Sequence, residues 1–358
     1  MLKLIVLIGL SACASAAPSY VHTFGVARGS IGNDLVERTI SYSEQTGLRT
    51  DRLLYKPTGR DLTAYSRTRN QVSDEFGFTA GAQLLTGSRS FLFEHAQISD
   101  VSGGGKQLSL QLASRDRSLR VSVNYAVYNG HPAIRKWITI SNAGAQEVRL
   151  SGMHFEALAA APGEPAELDT SAGYGAVPEP AFFTGRVSDC CTFIRNSATH
   201  EGIAIINEAP GYLKRTEAGI GWSEAFQVMY DTDLFPFARS LAPSETFESA
   251  KSSTILFRDG QGFEDSRWAV PGYVSRIIAR RYEQKAPPWL YNTWEPLERR
   301  IDQTTLDQLA PAAKAMGIDI FRSMTDGKLN TVRTRSITAG SREALRASSL
   351  RWTAIISA

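Results

Sequence analysis

Leu108, Leu110 and Leu112 alternate with polar neighbours, and Leu119, Val121, Val123, Tyr125 and Val127 repeat the alternation over nine residues. A period of two predicts strands with one face buried. Asn129-Gly130 supplies a turn that tolerates positive φ. Ile134, Ile138 and Ile140 continue on the next strand, and Asn142-Ala143-Gly144 turns again ahead of Val148 and Leu150. Short strands at this spacing, with no helical runs between them, predict antiparallel sheets packed face to face. The pattern runs over roughly 19–253, longer than an immunoglobulin-like domain, so the expectation is mainly β: a large two-sheet antiparallel β-sandwich. Two stretches read as irregular, namely 157–189, rich in Ala, Pro and Gly, and 207–235.

The period then changes. Trp268, Val274, Ile277, Ile278 and Tyr282 suit one face of a helix, with Arg276, Arg280 and Arg281 on its polar side. Pro271 either splits or starts that helix, and Pro287-Pro288 end it. A short apolar strand follows at 289–293. Thr304 is placed to cap a helix whose apolar positions are Leu306, Leu309, Ala310, Ala313 and Met316. Gly317 takes the position after that helix, and 318–321 reads as a buried strand. Strand, helix and strand make one βαβ unit. A full (β/α)8 barrel takes about 250 residues, whereas 72 follow Ala286. The expected plan is a signal peptide (1–16), a β-sandwich domain (19–260), a helical linker (261–286), the start of an incomplete TIM barrel (287–321) and a disordered tail (322–358).

Composition narrows the function classes. Apolar content of 42% and charged content of 21% are ordinary for a soluble globular protein. The net charge of +3 is small and the basic residues are scattered, so no nucleic-acid partner is expected. Lys3, the apolar run 4–10 and Ala14-Ser15-Ala16 together read as an export signal, which predicts a periplasmic or extracellular protein. A competing reading takes Leu10-Ser11-Ala12-Cys13 as a lipoprotein box with a lipid anchor at Cys13. No later run is long and apolar enough for a membrane helix. Cys190 and Cys191 are adjacent, so they form either a vicinal disulfide or a pair of plain thiols. His22, His95, His131, His154 and His200 show no metal-ligand spacing, and no metal or other cofactor is expected.

The constellation that carries chemistry is Tyr291-Asn292-Thr293-Trp294-Glu295-Pro296, at the C-terminal end of the first barrel strand, where barrel active sites lie. An indole there can floor a sugar pocket, and Asn and Glu can hydrogen-bond hydroxyls. Trp294, Asn292 and Glu295 are therefore the candidate substrate-binding residues. The segment Pro287-Pro288-Trp289-Leu290-Tyr291-Asn292-Thr293-Trp294-Glu295 resembles the entry to the barrel of family 36 glycoside hydrolases, the bacterial α-galactosidases. Residues 125–142, from Tyr125 through Trp137 to Asn142, and 241–247 are similar to the same family's sandwich. The resemblance covers roughly 29–321. It implies a large sandwich, a helical linker, a catalytic barrel and retaining hydrolysis of terminal α-D-galactosides. It implies no cofactor, α-galactoside sugars as the ligand class, and a homo-oligomer built through the sandwich. Both catalytic carboxylates of that family lie on later barrel strands, and no residue here corresponds to either. The stretch is expected to be inactive alone. Two alternatives from other classes are a non-catalytic carbohydrate-binding module and an oligomer-assembly module.

The family's second barrel strand ends in an aliphatic residue followed by D-D-G-W, whereas this chain has Arg322-Ser323-Met324-Thr325-Asp326-Gly327. Back-translation is informative here. Reading from the third base of the Arg322 codon permits Val or Ile, then Asp, a forced Asp, Gly, Trp and Gln. The expected motif is thus available one frame over, in the expected place. The tail also holds six arginines against two acids and no apolar period. A frameshift just after Phe321 is the expectation.

Overall fold

The computed structural model describes residues 18–23, 27–170, 182–185, 191–208, 214–219, 225–230, 232, 236–260, 264–279, 289–293, 297, 302–325 and 328–333. The signal segment, Cys13 and Cys190 lie outside the described residues, and Cys191 is buried in a strand. The chain divides into two compact units, Met1–Ile278 and Ala279–Ala358.

In the first unit β1 (Tyr20–Thr23), β2 (Arg28–Gly32), β3 (Val36–Ser43), β4 (Gly47–Tyr55) and β5 (Arg60–Asp61) form a five-stranded antiparallel meander. A short helix α1 (Ala64–Thr68) leads to β6 (Glu75–Ala80) and β7 (Gln83–Thr86). Four long strands follow: β8 (Phe91–Val101), β9 (Gly105–Ser114), β10 (Leu119–Tyr128) and β11 (Ala133–Asn142). The remaining strands are β12 (Val148–Leu158), β13 (Ala166–Thr170), β14 (Phe182–Gly185), β15 (Cys191–Asn196), β16 (Glu201–Asn207), β17 (Lys214–Gly219), β18 (Ala225–Tyr230), β19 (Ala238–Leu241), β20 (Thr246–Glu248) and β21 (Ser252–Arg258). One sheet of nine strands contains β8–β11, β13, β15, β16, β20 and β21. A sheet of seven contains β6, β7, β12, β14 and β17–β19.

The alternating positions are core positions. Leu108, Leu112, Leu119, Val121, Val123, Tyr125, Val127, Ile134, Ile138 and Ile140 are all buried in one cluster, which draws on all three sheets. The hairpin around Gly130, whose φ is 71°, pairs Val127 with Ile134. The next turn does something different from a hairpin. After Asn142 the chain crosses to the seven-stranded sheet, where β12 pairs with β6 and β18. Asn142 holds the crossing by donating to the carbonyls of Gln146 and Leu241 at 2.8 and 2.9 Å. The stretches read as irregular also contain strands: β13 and β14 in the first, β17 and β18 in the second. Their backbone groups are satisfied by long-range ladders, because strand preference depends on context and a neighbouring strand can recruit residues of low intrinsic preference.

The connector is helical, as its period predicts. Helix α2 (Glu264–Tyr273) contains Pro271 and passes into one π-helical stretch, Val274–Ile278. A proline that cannot donate and a wider turn go together. Val270 and Tyr273 are buried against Ala126, Trp137, Ile255 and Phe257, so the helix covers part of the outer face of the nine-stranded sheet.

The sandwich also buries four charges. Arg38 on β3, Glu75 on β6, Lys136 on β11 and Glu156 on β12 are each at most 1% exposed. Arg38 donates to Glu75 at 2.8 Å and to Glu156 at 2.9 Å, while Lys136 reaches the same two carboxylates at 3.0 and 2.7 Å. Thr50 and Tyr125 each donate to Glu75 at 2.6 Å, and the Ala157 N–H donates to Glu156 at 3.1 Å. The guanidinium carbon of Arg38 lies 4.9 Å from the centroid of the Tyr125 ring. Two cations meet two anions, so the cluster is neutral, and its members come one or two from each sheet. Burial acts to raise the Glu75 pKa, but Arg38, Lys136 and the two hydroxyls outweigh it and hold the carboxyl at about 2. The Arg38 guanidinium is held above its usual range by Glu156 and Glu75 against the opposing effect of burial. Beside the cluster, His154 packs on Gly77, where any Cβ would come within 2.4 Å of the ring. Burial pushes the His154 imidazole down to about 4, and its Nε2 has no partner among the described residues.

Removing one member of a buried ion cluster leaves an uncompensated charge, whereas exchanging the whole set for apolar residues removes the desolvation cost as well. Lys136→Met should therefore cost about 3–5 kcal/mol in urea unfolding, and exchange of all four charged residues for apolar ones should cost less than that. A mild effect of Lys136→Met, within about 1 kcal/mol, would show that the cluster contributes nothing to holding the sheets. Acid unfolding should come in two steps. His154 has a folded pKa below its free value, so stability is full above about pH 6.5 and falls as pH drops towards 4. Glu75 has a depressed carboxyl pKa, so its contribution is present above about pH 4.5 and lost as pH falls through about 2. His154→Gln should abolish the first step alone, and a urea midpoint that stays level from pH 7 to 4.5 in the parent chain would contradict this account.

Candidate functional site

The second unit is built around β22 (Leu290–Asn292), helix α3 (Gln303–Ala315), β23 (Ile320–Thr325) and β24 (Lys328–Arg333). Strands β22 and β23 are parallel, pairing Leu290 with Ile320, Tyr291 with Phe321 and Asn292 with Arg322. Parallel neighbours joined through a helix are the βαβ unit that the sequence predicts. The rings of Tyr291 and Phe321 stack at 5.6 Å, which fixes the two strands side by side. At the start of β22, the Trp289 carbonyl accepts from the N–H groups of Asp319 and Ile320 at 2.9 and 3.0 Å.

The helix begins two residues earlier than its expected cap. Asp302, not Thr304, is the N-cap, and its carboxylate accepts from the Thr305 N–H at 2.7 Å. That bond holds the exposed Asp302 carboxyl below its usual range. An extended backbone at Asp302 lets a short acidic side chain fold back onto the first free N–H groups, whereas Thr304 is already helical. At the other end Gly317 has φ 81°, its N–H reaches the Lys314 carbonyl, and the Ile318 N–H reaches that of Ala313. This double closure is the Schellman arrangement. Ala310 and Ala313 are buried and Leu306 and Leu309 half-buried, but Met316 is 75% exposed because it stands at the C-cap, beyond the last full turn. Trp289 and Leu290 are also exposed, at 68% and 49%.

The candidate site lies at the C-terminal end of β22. Asn292 is half-buried on the last residue of the strand, and Thr293 behind it is fully buried, its carbonyl accepting from the Leu297 N–H at 3.0 Å. Trp294 and Glu295 lie outside the described residues. Across the ladder from Asn292 stands Arg322, followed in sequence by Ser323 and Met324. Strand β23 does not stop at Phe321. It continues to Thr325 and pairs antiparallel with β24, Thr325 with Lys328 and Phe321 with Val332, although the sequence analysis places a disordered tail from Arg322. The two residues between the strands are Asp326-Gly327, a pair that favours tight hairpin turns. Such a dipeptide between short strand-compatible runs was the signal available for this hairpin. Asn292 can accept from and donate to a hydroxyl. It provides no proton for transfer and no nucleophile.

Elsewhere, a cavity of about 160 Å³ opens between β2–β3 and β8–β9. Its walls are mostly apolar, with Ile40, Leu48, Phe93, Leu108 and Leu110, and include the polar side chains of Thr23, Arg28 and Ser41. Among the described residues no group of three His, Cys, Asp or Glu is placed to hold a metal ion.

No family model matches the sequence, and no curated protein matches it. Solved structures do. The α-galactosidase AgaB of Geobacillus stearothermophilus, assigned to glycoside hydrolase family 36, superposes with a TM-score of 0.61 at 13% identity, covering 86% of this chain and 50% of its own. The α-galactosidase of Lactobacillus brevis gives 0.58 at 13% identity, over 82% of this chain and 47% of its own. A variant of AgaA from G. stearothermophilus in complex with raffinose gives 0.58 at 12% identity, over 83% and 50%. The chain spans about half the length of these enzymes. Its antiparallel sandwich has the fold of the N-terminal portion of family 36 α-galactosidases.

Proposed function

We propose that this chain is kin to the retaining α-galactosidases of glycoside hydrolase family 36, and that the whole protein from which it derives acts on terminal α-D-galactosides of the raffinose type. The observation that carries the reading is the order of parts, a large antiparallel sandwich, a helix, then a parallel βαβ unit, which is the order that the family resemblance implies. The segment that ends in Asn292-Thr293-Trp294-Glu295 supports it from the sequence side. In this reading Asn292, Trp294 and Glu295 contact the sugar at the mouth of a TIM barrel that the family completes with further βα units.

Retaining hydrolysis takes two carboxyl groups about 5–5.5 Å apart, one attacking the anomeric carbon and one serving as acid and then base. The 358 residues contain no position that matches either of that family's catalytic carboxylates. Positioning of a hydroxyl by Asn292 does not replace a nucleophile. These residues by themselves are therefore expected to release no nitrophenol from 4-nitrophenyl α-D-galactoside, and turnover abolished by a galactose-configured inhibitor would overturn the assignment of the chemistry to later barrel strands.

The frameshift after Phe321 is part of the same proposal. The parallel pattern gives way to an antiparallel hairpin at the point where the shifted frame permits the family's D-D-G-W. Sequencing the gene from codon 321 onward tests it. The expected result is an open shifted frame that encodes further βα units, and a stop codon soon after codon 322 in that frame would refute it.

A further inference from the structure

The nine-stranded sheet has an outer face as well as a core face, and its composition changes abruptly. Where α2 covers it the face is apolar, with Ala126, Trp137 and Ile255 under Val270 and Tyr273. Beyond the helix, over β8, β9 and β10, it is polar, and its charged groups Arg120 and Glu94 pair with each other at 3.8 Å along one side. Paired residues of an antiparallel ladder project to the same side. Gln97, Ser109 and Asn124 thus form one row across three strands. His95, Gln111 and Ser122 stand in the next row, and Gln107 lies beside Ser109 on β9. No Asp, Glu, Lys or Arg interrupts these rows. Ser109 and Asn124 are buried at the base of this face, Gln107, Gln111 and Ser122 are half-buried, and Gln97 is exposed.

The side chains are already ordered by one another. Gln107 Nε2 donates to Ser109 Oγ at 2.8 Å, and Ser109 Oγ donates to Asn124 Oδ1 at 2.7 Å. Gln111 Nε2 donates to Ser122 Oγ at 2.9 Å, and Ser122 Oγ to Asn124 Oδ1 at 3.1 Å. Among the described residues nothing donates to the amide oxygens of Gln107 and Gln111, and the Gln97 side chain stands exposed. The free groups therefore alternate acceptors with amide donors, on strands spaced about 4.8 Å apart. Neighbouring hydroxyls of a sugar ring both donate and accept and carry no charge, so a neutral lattice of amides and hydroxyls complements them without desolvating an ion. Mutual ordering lowers the side-chain entropy lost on binding.

We propose that the outer face of β8–β10 binds neutral, polyhydroxylated glycan chains side-on and without cleaving them. The binding is independent of the barrel and of the proposed activity, so it stands or falls separately from that reading. The test is affinity electrophoresis of the full chain in native gels cast with galactomannan, unbranched mannan or amylose. At least one polysaccharide should retard the chain, and the double variant Gln107→Ala/Gln111→Ala should weaken that retardation about tenfold, the loss expected for two uncharged hydrogen bonds. Gln97→Ala, at a fully exposed position, should weaken it in part, and Arg120→Ala, beyond the rows, should leave it unchanged. Thermal unfolding unchanged in all three variants keeps the comparison valid. No retardation by any of the three polysaccharides would overturn the proposal, as would equal retardation of parent and double variant. Light scattering that finds the parent dimeric and the double variant monomeric would assign the face to self-association instead.

Discussion

Three sheets meet at one neutral set of four buried charges. Arg38, Glu75, Lys136 and Glu156 can stay ionised out of water only if each cation touches both anions, and every sheet must supply its member in register for that to happen. Apolar packing alone tolerates small slides between sheets, because dispersion and area burial are nearly non-directional. A bidentate guanidinium does not. The cluster therefore does for the sandwich what packing cannot: it selects one relative placement of β3, β11 and the pair β6 and β12. Tyr125 adds a hydroxyl to Glu75 and an aromatic face to Arg38, and Thr50 closes the remaining acceptor site. Glu75 sits at a positive φ of 63°, next to irregular pairing between β6 and β12. The local backbone departs from regular strand geometry at the residue that both cations require.

The second unit is organised by simpler means. A stacked Tyr291–Phe321 pair, an Asp302 cap and a Gly317 closure give one βαβ turn with a short apolar helix face. Trp289, Leu290 and Met316 remain exposed. The chain continues β23 into an antiparallel partner. A barrel grows by adding parallel strands through helical crossovers, so an antiparallel neighbour at that edge belongs to another pattern of pairing.

Much of the fold was legible in the sequence because each strand of the core carries its signal locally. The alternation from Leu119 to Val127 and the Asn129-Gly130 turn specify a hairpin without reference to anything distant. The same alternation held the clue to the charge cluster. Arg38 falls in phase with Val36 and Ile40, and Lys136 falls in phase with Ile134 and Ile138, so both point at the core. A cation in phase with buried positions demands a buried anion. The pattern could reveal that demand but not which carboxylates answer it, since Glu75 and Glu156 are 61 and 20 residues from Lys136. Of the candidate site, Asn292 was placed correctly at a strand end, and the antiparallel pairing of β23 with β24 was overlooked because residues 322–327 were read against a family motif.

By itself the sequence determined the element types over the sandwich, the parallel βαβ unit, the family resemblance of residues 287–295, and the break in pattern at Phe321. Those are properties of short windows, set by side-chain period, turn chemistry and capping. Tertiary structure alone decided that the chain crosses between sheets after Asn142, that stretches rich in small residues complete those sheets, and that four charges lock them. It also decided that amides from separate strands align on one polar face. Each of these depends on pairing between residues far apart in the chain, and strand pairing is chosen by the sum of many long-range contacts rather than by any local preference.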